Sequence, residues 1–448
     1  MLSRKIPHAL CGLLAAMAAF ELSHKAVVAA VLVAATLALT FIVERGLIPV
    51  PGIFDGTRSR DYGLVGFAAG ALVAVLAFWP DRVCIAAGLT VLGLADAGAA
   101  MIGDRYGRHR VHTGAATRSL EGTAAFIGIT FAVSWAFCRI GLELNIFMTV
   151  AISLFIAVTT ATTELLVPPA ADNLLITPWV ALLLHIAPGL STDDALRWLA
   201  AIAFGCAIVP FMVTMQWLDL PGALCGGLIA AVAVGLGGWA WIIPAALFFS
   251  LTSLLTAYRQ PVRSGGMRSI SQVVVNAALP VLIPVIGYAC TRNAIFYAVS
   301  IGGIAAGIAD SWGSEVGRFA SREPVSLRTL TRVPKGTSGA VSPLGSAATV
   351  LGALAVGSFG ALFGGPVMVA VGLAAGIGGS LIDTVIGATV EARWTCPTCG
   401  TTLEDTLHCG APTRPGSGWR WVNNDVVNAC ANIAGMLTGF AVFRLLGG

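Results

Sequence analysis

The chain has 448 residues, of which 57% are hydrophobic and 11% charged, against about a quarter charged in an ordinary soluble domain. Mean hydropathy is +0.86, and 53 residues are glycine. These figures exclude a soluble globular enzyme, a disordered chain, a coiled coil and a disulfide scaffold, and a scattered net charge of +4 excludes a nucleic-acid partner.

What remains is an all-α, polytopic transmembrane helical bundle. At about 20 apolar residues per span, the length holds about fifteen. Apolar runs predict spans at 8–22, 25–43, 63–79, 83–102, 122–140, 144–167, 173–187, 196–215, 219–236, 238–257, 273–290, 294–312, 338–360, 364–389 and 424–445. The run after Arg4-Lys5 continues into further spans, so it reads as a first membrane helix and not as a cleavable signal. With the N-terminus inside, all but six of the 26 Lys and Arg fall in inside loops, the exceptions being Lys25, Arg82, Arg139, Arg197, Arg292 and Arg444. That asymmetry obeys the positive-inside rule and predicts that the polar clusters face the cytoplasm.

The sequence repeats itself at an offset of 214 residues. Pro7, Ala9, Leu10, Cys11 and Gly12 match Pro221, Ala223, Leu224, Cys225 and Gly226, and Gly93–Thr123 aligns without a gap to Gly307–Thr337. Identities in the longer stretch include Asp96/Asp310, Gly103/Gly317, Arg108/Arg322, Val111/Val325, Arg118/Arg332, Gly122/Gly336 and Thr123/Thr337. Two parallel repeats of about seven helices follow, at 1–190 and 217–448, with a linking helix at 191–216 that lets the second enter in the same orientation.

Each repeated segment places an Asp near a helix end, several Arg in the next loop, and Gly, Thr and Ser where the following helix opens. A carboxylate inside a membrane is costly and points to function; a helix N-terminus suits an anion. Together they can hold a metal–nucleotide, Asp on Mg²⁺ and Arg or Lys on phosphate oxygens. Glu164 and Asp172-Asn173 in the first unit, and Asp383 and Asn424-Asp425 with Asn428 in the second, add oxygen ligands at similar depth. The plainer roles stay open: Asp96 and Asp310 could pair with loop arginines, and Asp172, Asn173, Asn424 and Asp425 could cap helices.

Seven cysteines lie in apolar spans and read as small core residues. Cys396, Cys399 and Cys409 lie with His408 in a polar loop at 391–420 that only the second unit has. Four ligands at this spacing suit a structural Zn²⁺, which would fold the loop beside the second site; free thiols with an incidental His are the alternative.

The first unit resembles the phytol kinase and dolichol kinase family, itself similar to phosphatidate cytidylyltransferase. The resemblance lies in Arg4-Lys5-x-x-His8, in Ala95-Asp96 through Gly107-Arg108, and in Arg118-Ser119-x-Glu121-Gly122-Thr123, where Arg118 stands in place of the usual Lys. The second unit is similar to the large integral-membrane family whose plant member is phytyl-phosphate kinase. Its matching residues are Ala309-Asp310 through Gly317, Gly336-Thr337-Ser338-Gly339 with Ser342, Leu344 and Gly345, Asp383, the Cys/His loop, and Asn424-Asp425-Val-Val-Asn428.

The resemblance implies a CTP- and Mg²⁺-dependent kinase of long isoprenoid alcohols, the first unit making the monophosphate and the second the diphosphate. Asp96 and Asp310 would take Mg²⁺, with Glu164 or Asp172 and Asp383 or Asp425 as second ligands or the base. Glu315, Asn424 and Asn428 complete the second metal set. Arg108, Arg118, Ser119, Gly122 and Thr123, and Arg322, Arg332, Lys335, Gly336, Thr337 and Ser338, would hold the nucleotide. The alternatives are a membrane cytidylyltransferase and a polyprenyl-phosphate transporter. The lipid tail would lie between helices, open to the bilayer; the sequence sets no oligomeric state.

Overall fold

The computed structural model describes residues 2–21, 24–45, 62–113, 117–168, 170–259, 267–403 and 406–447. Side chains are described from residue 10 onward, so those of Arg4, Lys5 and His8 lie outside the described residues. Among the described residues thirteen helices are long and apolar enough to cross a membrane, and two shorter apolar helices accompany them. A backbone in lipid must satisfy its polar groups internally, which is why continuous Ala, Val and Leu runs here become helices.

The chain divides into two compact units, Met1–Cys206 and Ala207–Gly448. The first contains α1 (Leu2–Glu21), α2 (Lys25–Arg45), α3 (Gly63–Phe78), α4 (Arg82–Tyr106), the hairpin β1 (Arg110–His112) and β2 (Thr117–Ser119), α5 (Leu120–Ala136), α6 (Ile146–Leu166) and α7 (Ala171–Ile186). Helix α8 (Thr192–Thr214) lies where the linking helix is expected, and the division falls inside it. The second unit continues with α9 (Leu220–Gly237), α10 (Trp239–Arg259), α11 (Ile270–Thr291), α12 (Ile295–Gly317), the strand pair β3 (Val325–Ser326) and β4 (Ala340–Val341), α13 (Pro343–Gly364) and α14 (Val367–Thr389). Five short strands follow: β5 (Trp394–Thr395), β6 (Thr402–Leu403), β7 (Leu407–His408), β8 (Ala411–Pro412) and β9 (Arg414–Pro415), before α15 (Asn424–Leu446) closes the unit.

Each unit is built around the helix that carries its repeated aspartate. Helix α4 packs on α1, α5 and α7, and α12 packs on α13, α14 and α15. Small residues permit this, as they do generally between membrane helices. A Cβ at Gly435 of α15 would lie 2.6 Å from the Gly302 carbonyl oxygen of α12, and one at Gly379 of α14 would lie 2.3 Å from the Ala306 Cβ.

The two units share a local arrangement at this crossing, but its register differs from the gap-free alignment. In the first unit Ser119 caps α5 by accepting the Gly122 N–H at 3.1 Å, and in the second Ser342 caps α13 by accepting the Gly345 N–H at 3.1 Å. Gly122 faces Gly103 and the Ala99 carbonyl as Gly345 faces Gly317 and the Gly313 carbonyl. In the hairpins Val111 pairs with Arg118 and Val325 pairs with Val341. The 214-residue offset therefore holds through the first strand and as far as Arg332, and lengthens before the serine cap. Ser119 and Gly122 correspond to Ser342 and Gly345, so Gly122/Gly336 and Thr123/Thr337 are not equivalent pairs, whereas Arg332 bridges Val325 as Arg118 pairs with Val111. The expected helix start at 338 moves accordingly to Pro343, and Gly336, Thr337 and Ser338 lie in the loop before it.

Gly435→Ala is expected to destabilise the protein by about 1–3 kcal/mol through overpacking. Gly128→Ala, where a Cβ meets nothing within 4 Å, leaves stability unchanged or slightly raised. Thermal denaturation in detergent distinguishes the two.

Candidate functional sites at the hairpin ends of two units

In the first unit three carboxylates arrive from three helices. Asp96 lies ten residues before the end of α4, Glu164 in the last turn of α6, and Asp172 in the first turn of α7. All three are buried, and one oxygen from each lies within 4.8 Å of the others. Arg118, from β2, places one terminal nitrogen on Glu164 and the other on Asp172 Oδ2 at 3.0 Å. The second Asp172 oxygen accepts the backbone N–H groups of Ala170 at 3.0 Å and Asn173 at 2.8 Å. Asn173 is itself turned away, donating to the Gly63 carbonyl. Oxygens at such separations can ligate a hard divalent cation.

In the second unit Asp310 of α12 and Asp383 of α14 hydrogen-bond one another, with Glu391 close enough to act on both electrostatically. Two carboxyls this close repel unless a proton or a cation lies between them. Glu391 follows α14, is 3% exposed, and accepts a hydrogen bond from the Ser338 hydroxyl. Its burial pushes the carboxyl above its ordinary value, while Ser338 and the Arg393 guanidinium pull it back. Arg393 donates to the Ser338 carbonyl at 2.9 Å and the Gly387 carbonyl at 3.2 Å. One turn deeper, Asn432 of α15 donates to Asn276 Oδ1 at 3.1 Å and to the Val275 carbonyl at 3.0 Å. Asn276 lies in the π-helical turn of α11, Val274–Ala278, the kind of irregularity often found beside functional sites.

Several expected site residues have other positions. Glu315 lies about 140° around α12 from Asp310 and meets the Thr256 hydroxyl of α10 at 3.5 Å, so it does not join the Asp310 oxygens. Asn424 is exposed; the α15 cap is Asn423, which accepts the Val426 N–H at 3.0 Å. Asp425 and Asn428 share a helix face with Asn432, which packs on Gly307, and successive turns bring Asn428 toward the level of Asp310. The Gly122 N–H that was expected to cradle phosphate is taken by Ser119. Thr123 donates to the Ser119 carbonyl, and Thr337 to the Pro334 carbonyl. Arg108, Arg322, Arg332 and Lys335 are exposed on the loops. Glu391, Arg393, Asn276 and Asn432 escaped the sequence reading. The first two follow a helix in a loop read for its cysteines, and single Asn residues inside apolar runs carry no spacing signal.

In the Cys/His loop the side-chain ligand atoms of Cys396, Cys399, His408 and Cys409 all lie within 4.8 Å of one another. The backbone N–H of Cys399 holds the Cys396 thiol down to about 7, whereas Cys409, beside the other two sulfurs, is pushed up to about 11.

A family model described as integral membrane protein DUF92 matches residues 203–436, a stretch containing the second carboxylate cluster and the Cys/His loop. An uncharacterized membrane protein of Methanocaldococcus jannaschii is 26% identical over 260 residues, covering 57% of this chain and 98% of that protein. Protein PGR of Arabidopsis thaliana is 26% identical over 243 residues, covering 46% of this chain and 83% of that protein. No solved structure matches the chain.

Arg118→Gln leaves two buried carboxylates without their counter-charge and is expected to cost about 3–5 kcal/mol of stability. Adding Glu164→Gln recovers part of that loss, and Arg332→Gln, on an exposed loop, changes stability by less than about 0.5 kcal/mol. Denaturation of the four proteins side by side checks the pattern.

Proposed function

The chain belongs to the DUF92 family of integral membrane proteins, and from that premise we propose that it is a phosphotransferase acting on isoprenoid lipids. In this reading CTP is the phosphoryl donor, the first unit phosphorylates a long-chain prenol, and the second phosphorylates the resulting monophosphate, both from the cytoplasmic face. The observation that carries it is the recurrence, in two units, of carboxylates from separate membrane helices gathered beside a hairpin with exposed arginines. Phosphoryl transfer asks a protein mainly for positioning and charge neutralisation, and these clusters offer both next to lipid.

The donor set is all oxygen, which suits Mg²⁺. When bound, the ion would neutralise charge on the transferring phosphoryl group. Asp96 with Glu164 or Asp172, and Asp310 with Asp383 or Asp425, would hold it. In either unit the substrate oxygen attacks the terminal phosphorus of CTP and the bond to the bridging oxygen breaks to release CDP. In the first unit the prenol hydroxyl proton passes to a carboxylate of the cluster, whereas in the second an ionised phosphate oxygen attacks with no proton to give up. Arg118 keeps its buried Nε without a hydrogen-bond partner among the described residues, and this N–H would donate to a phosphate oxygen bound beside the cluster. Arg108 in the first unit, and Arg322, Arg332 and Lys335 in the second, are exposed on the surface and would engage the outer phosphates.

The test uses the full chain in detergent with Mg²⁺, a panel of prenols and prenyl phosphates, and CTP labelled separately in the cytosine and the terminal phosphate. Asp96→Asn should lower prenol phosphorylation about 10²–10³-fold, the cost of removing one charge partner of a transition state. Asp310→Asn should stop the reaction at the monophosphate. Cytosine label in the lipid product would replace the kinase with a cytidylyltransferase, and no CTP consumption with any lipid would overturn the enzyme reading in favour of transport.

A further inference from the structure

We propose that Cys396, Cys399, His408 and Cys409 bind one structural zinc ion, and that this ion holds Glu391 and Arg393 in place against Ser338 beside the Asp310–Asp383 pair. The ligands come from two tight turns that face each other. Cys396 and Cys399 flank one, closed by the Gly400 N–H donating to the Cys396 carbonyl at 2.9 Å. His408 and Cys409 open the other, where β7 and β8 pair His408 with Ala411 around Cys409-Gly410. Both central residues have positive φ, 52° at Cys409 and 72° at Gly410, the geometry of a two-residue hairpin turn. An L side chain rarely takes that conformation at Cys409, and here it aims the sulfur inward.

The distances suit the metal. His408 Nδ1 lies 3.5 Å from Cys399 Sγ and 3.3 Å from Cys409 Sγ. A tetrahedral zinc with ordinary Zn–S and Zn–N bonds separates sulfur from nitrogen by about 3.5 Å. Three thiolates and one imidazole leave no open position, so the ion would organise the loop and not perform chemistry.

The loop is wired to the second carboxylate cluster through backbone. Cys396 directly follows β5, which pairs with β6 on one side and β9 on the other. Arg393, immediately before β5, donates its N–H to the Ser417 carbonyl and accepts from the Gly416 N–H, each at 2.8 Å. Ala392 donates to the Val422 carbonyl at 2.8 Å, and Trp419 donates to the Val390 carbonyl at 2.9 Å. Glu391 and Arg393 thus stand on a ladder whose far end is the four-ligand cluster, and their side chains reach the Ser338 hydroxyl and carbonyl. A loop of about thirty residues needs such a staple to hold one shape.

The test does not depend on the proposed kinase activity. Full-length protein purified in detergent should contain one zinc per chain, and Cys396→Ser and Cys409→Ser should bring it to background. Exchange of the wild-type metal for cobalt should give thiolate-to-cobalt charge transfer with the strong visible absorption of tetrahedral cobalt, a readout that needs no variant. Removing the metal with a chelator under reducing conditions should raise amide exchange across 337–341 and 390–395 while leaving α13 unchanged. Metal-free protein with a Cys396–Cys399 disulfide, or a bound metal other than zinc, would overturn the assignment. Zinc loss without any change at 337–341 would overturn the coupling to the second cluster.

Discussion

A carboxylate two to three turns inside a membrane helix costs about 2.5–3.5 kcal/mol to insert, and the rest of each unit answers to that cost. Asp96 and Asp310 occupy this position on the central helix of their units. Each is met by further carboxylates from neighbouring helices, which multiplies the charge before it balances it. The first unit balances it with the Arg118 guanidinium lying across Glu164 and Asp172. The second sets Asp310 against Asp383 and brings Arg393 and Glu391 to the loop above them. Clusters that exist only to stabilise a bundle need not concentrate like charge in this way.

The two solutions differ because of one change in connectivity. Ser119 stands sixteen residues after Gly103, whereas Ser342 stands twenty-five after Gly317, yet both serines cap the same helix at the same glycine crossing. The longer second connection leaves Val325 between Arg332 and Val341, where the first unit has Arg118 opposite Val111. Val341 cannot carry the counter-charge, and Arg332 is exposed on the loop. The guanidinium near the second cluster comes instead from beyond α14, at Arg393, on the edge of the Cys/His loop. That loop therefore fills a place that the first unit has no need to fill.

The fold was legible because its signal is collective. Fifteen apolar runs correspond to fifteen helices among the described residues, since hydropathy summed over twenty residues withstands errors at either end. The site was legible in its carboxylates, because Asp96, Glu164 and Asp172 stand out in apolar sequence, and their approach was foreseeable from similar depth. The register of the second hairpin was not. An insertion in a loop of Gly, Thr and Arg leaves chance identities such as Gly122/Gly336 in a gap-free alignment, and only the serine caps and strand pairing reveal the shift. Glu315 misled for a related reason, since five positions along a helix turn a side chain away from Asp310. Asn276 and Asn432 are far apart in sequence, and their hydrogen bond exists only because α11 and α15 meet beside α12.

The proposed function requires each unit to gather its carboxylates around a divalent cation. Manganese, a spectroscopic stand-in for magnesium with the same taste for oxygen ligands, measures this directly through the loss of its free-ion paramagnetic resonance signal on binding. Titration of the full chain should reveal two classes of site, one abolished by Asp96→Asn and the other by Asp310→Asn, each variant sparing the other site. Binding that survives both substitutions, or no binding by the wild-type protein, would contradict the account.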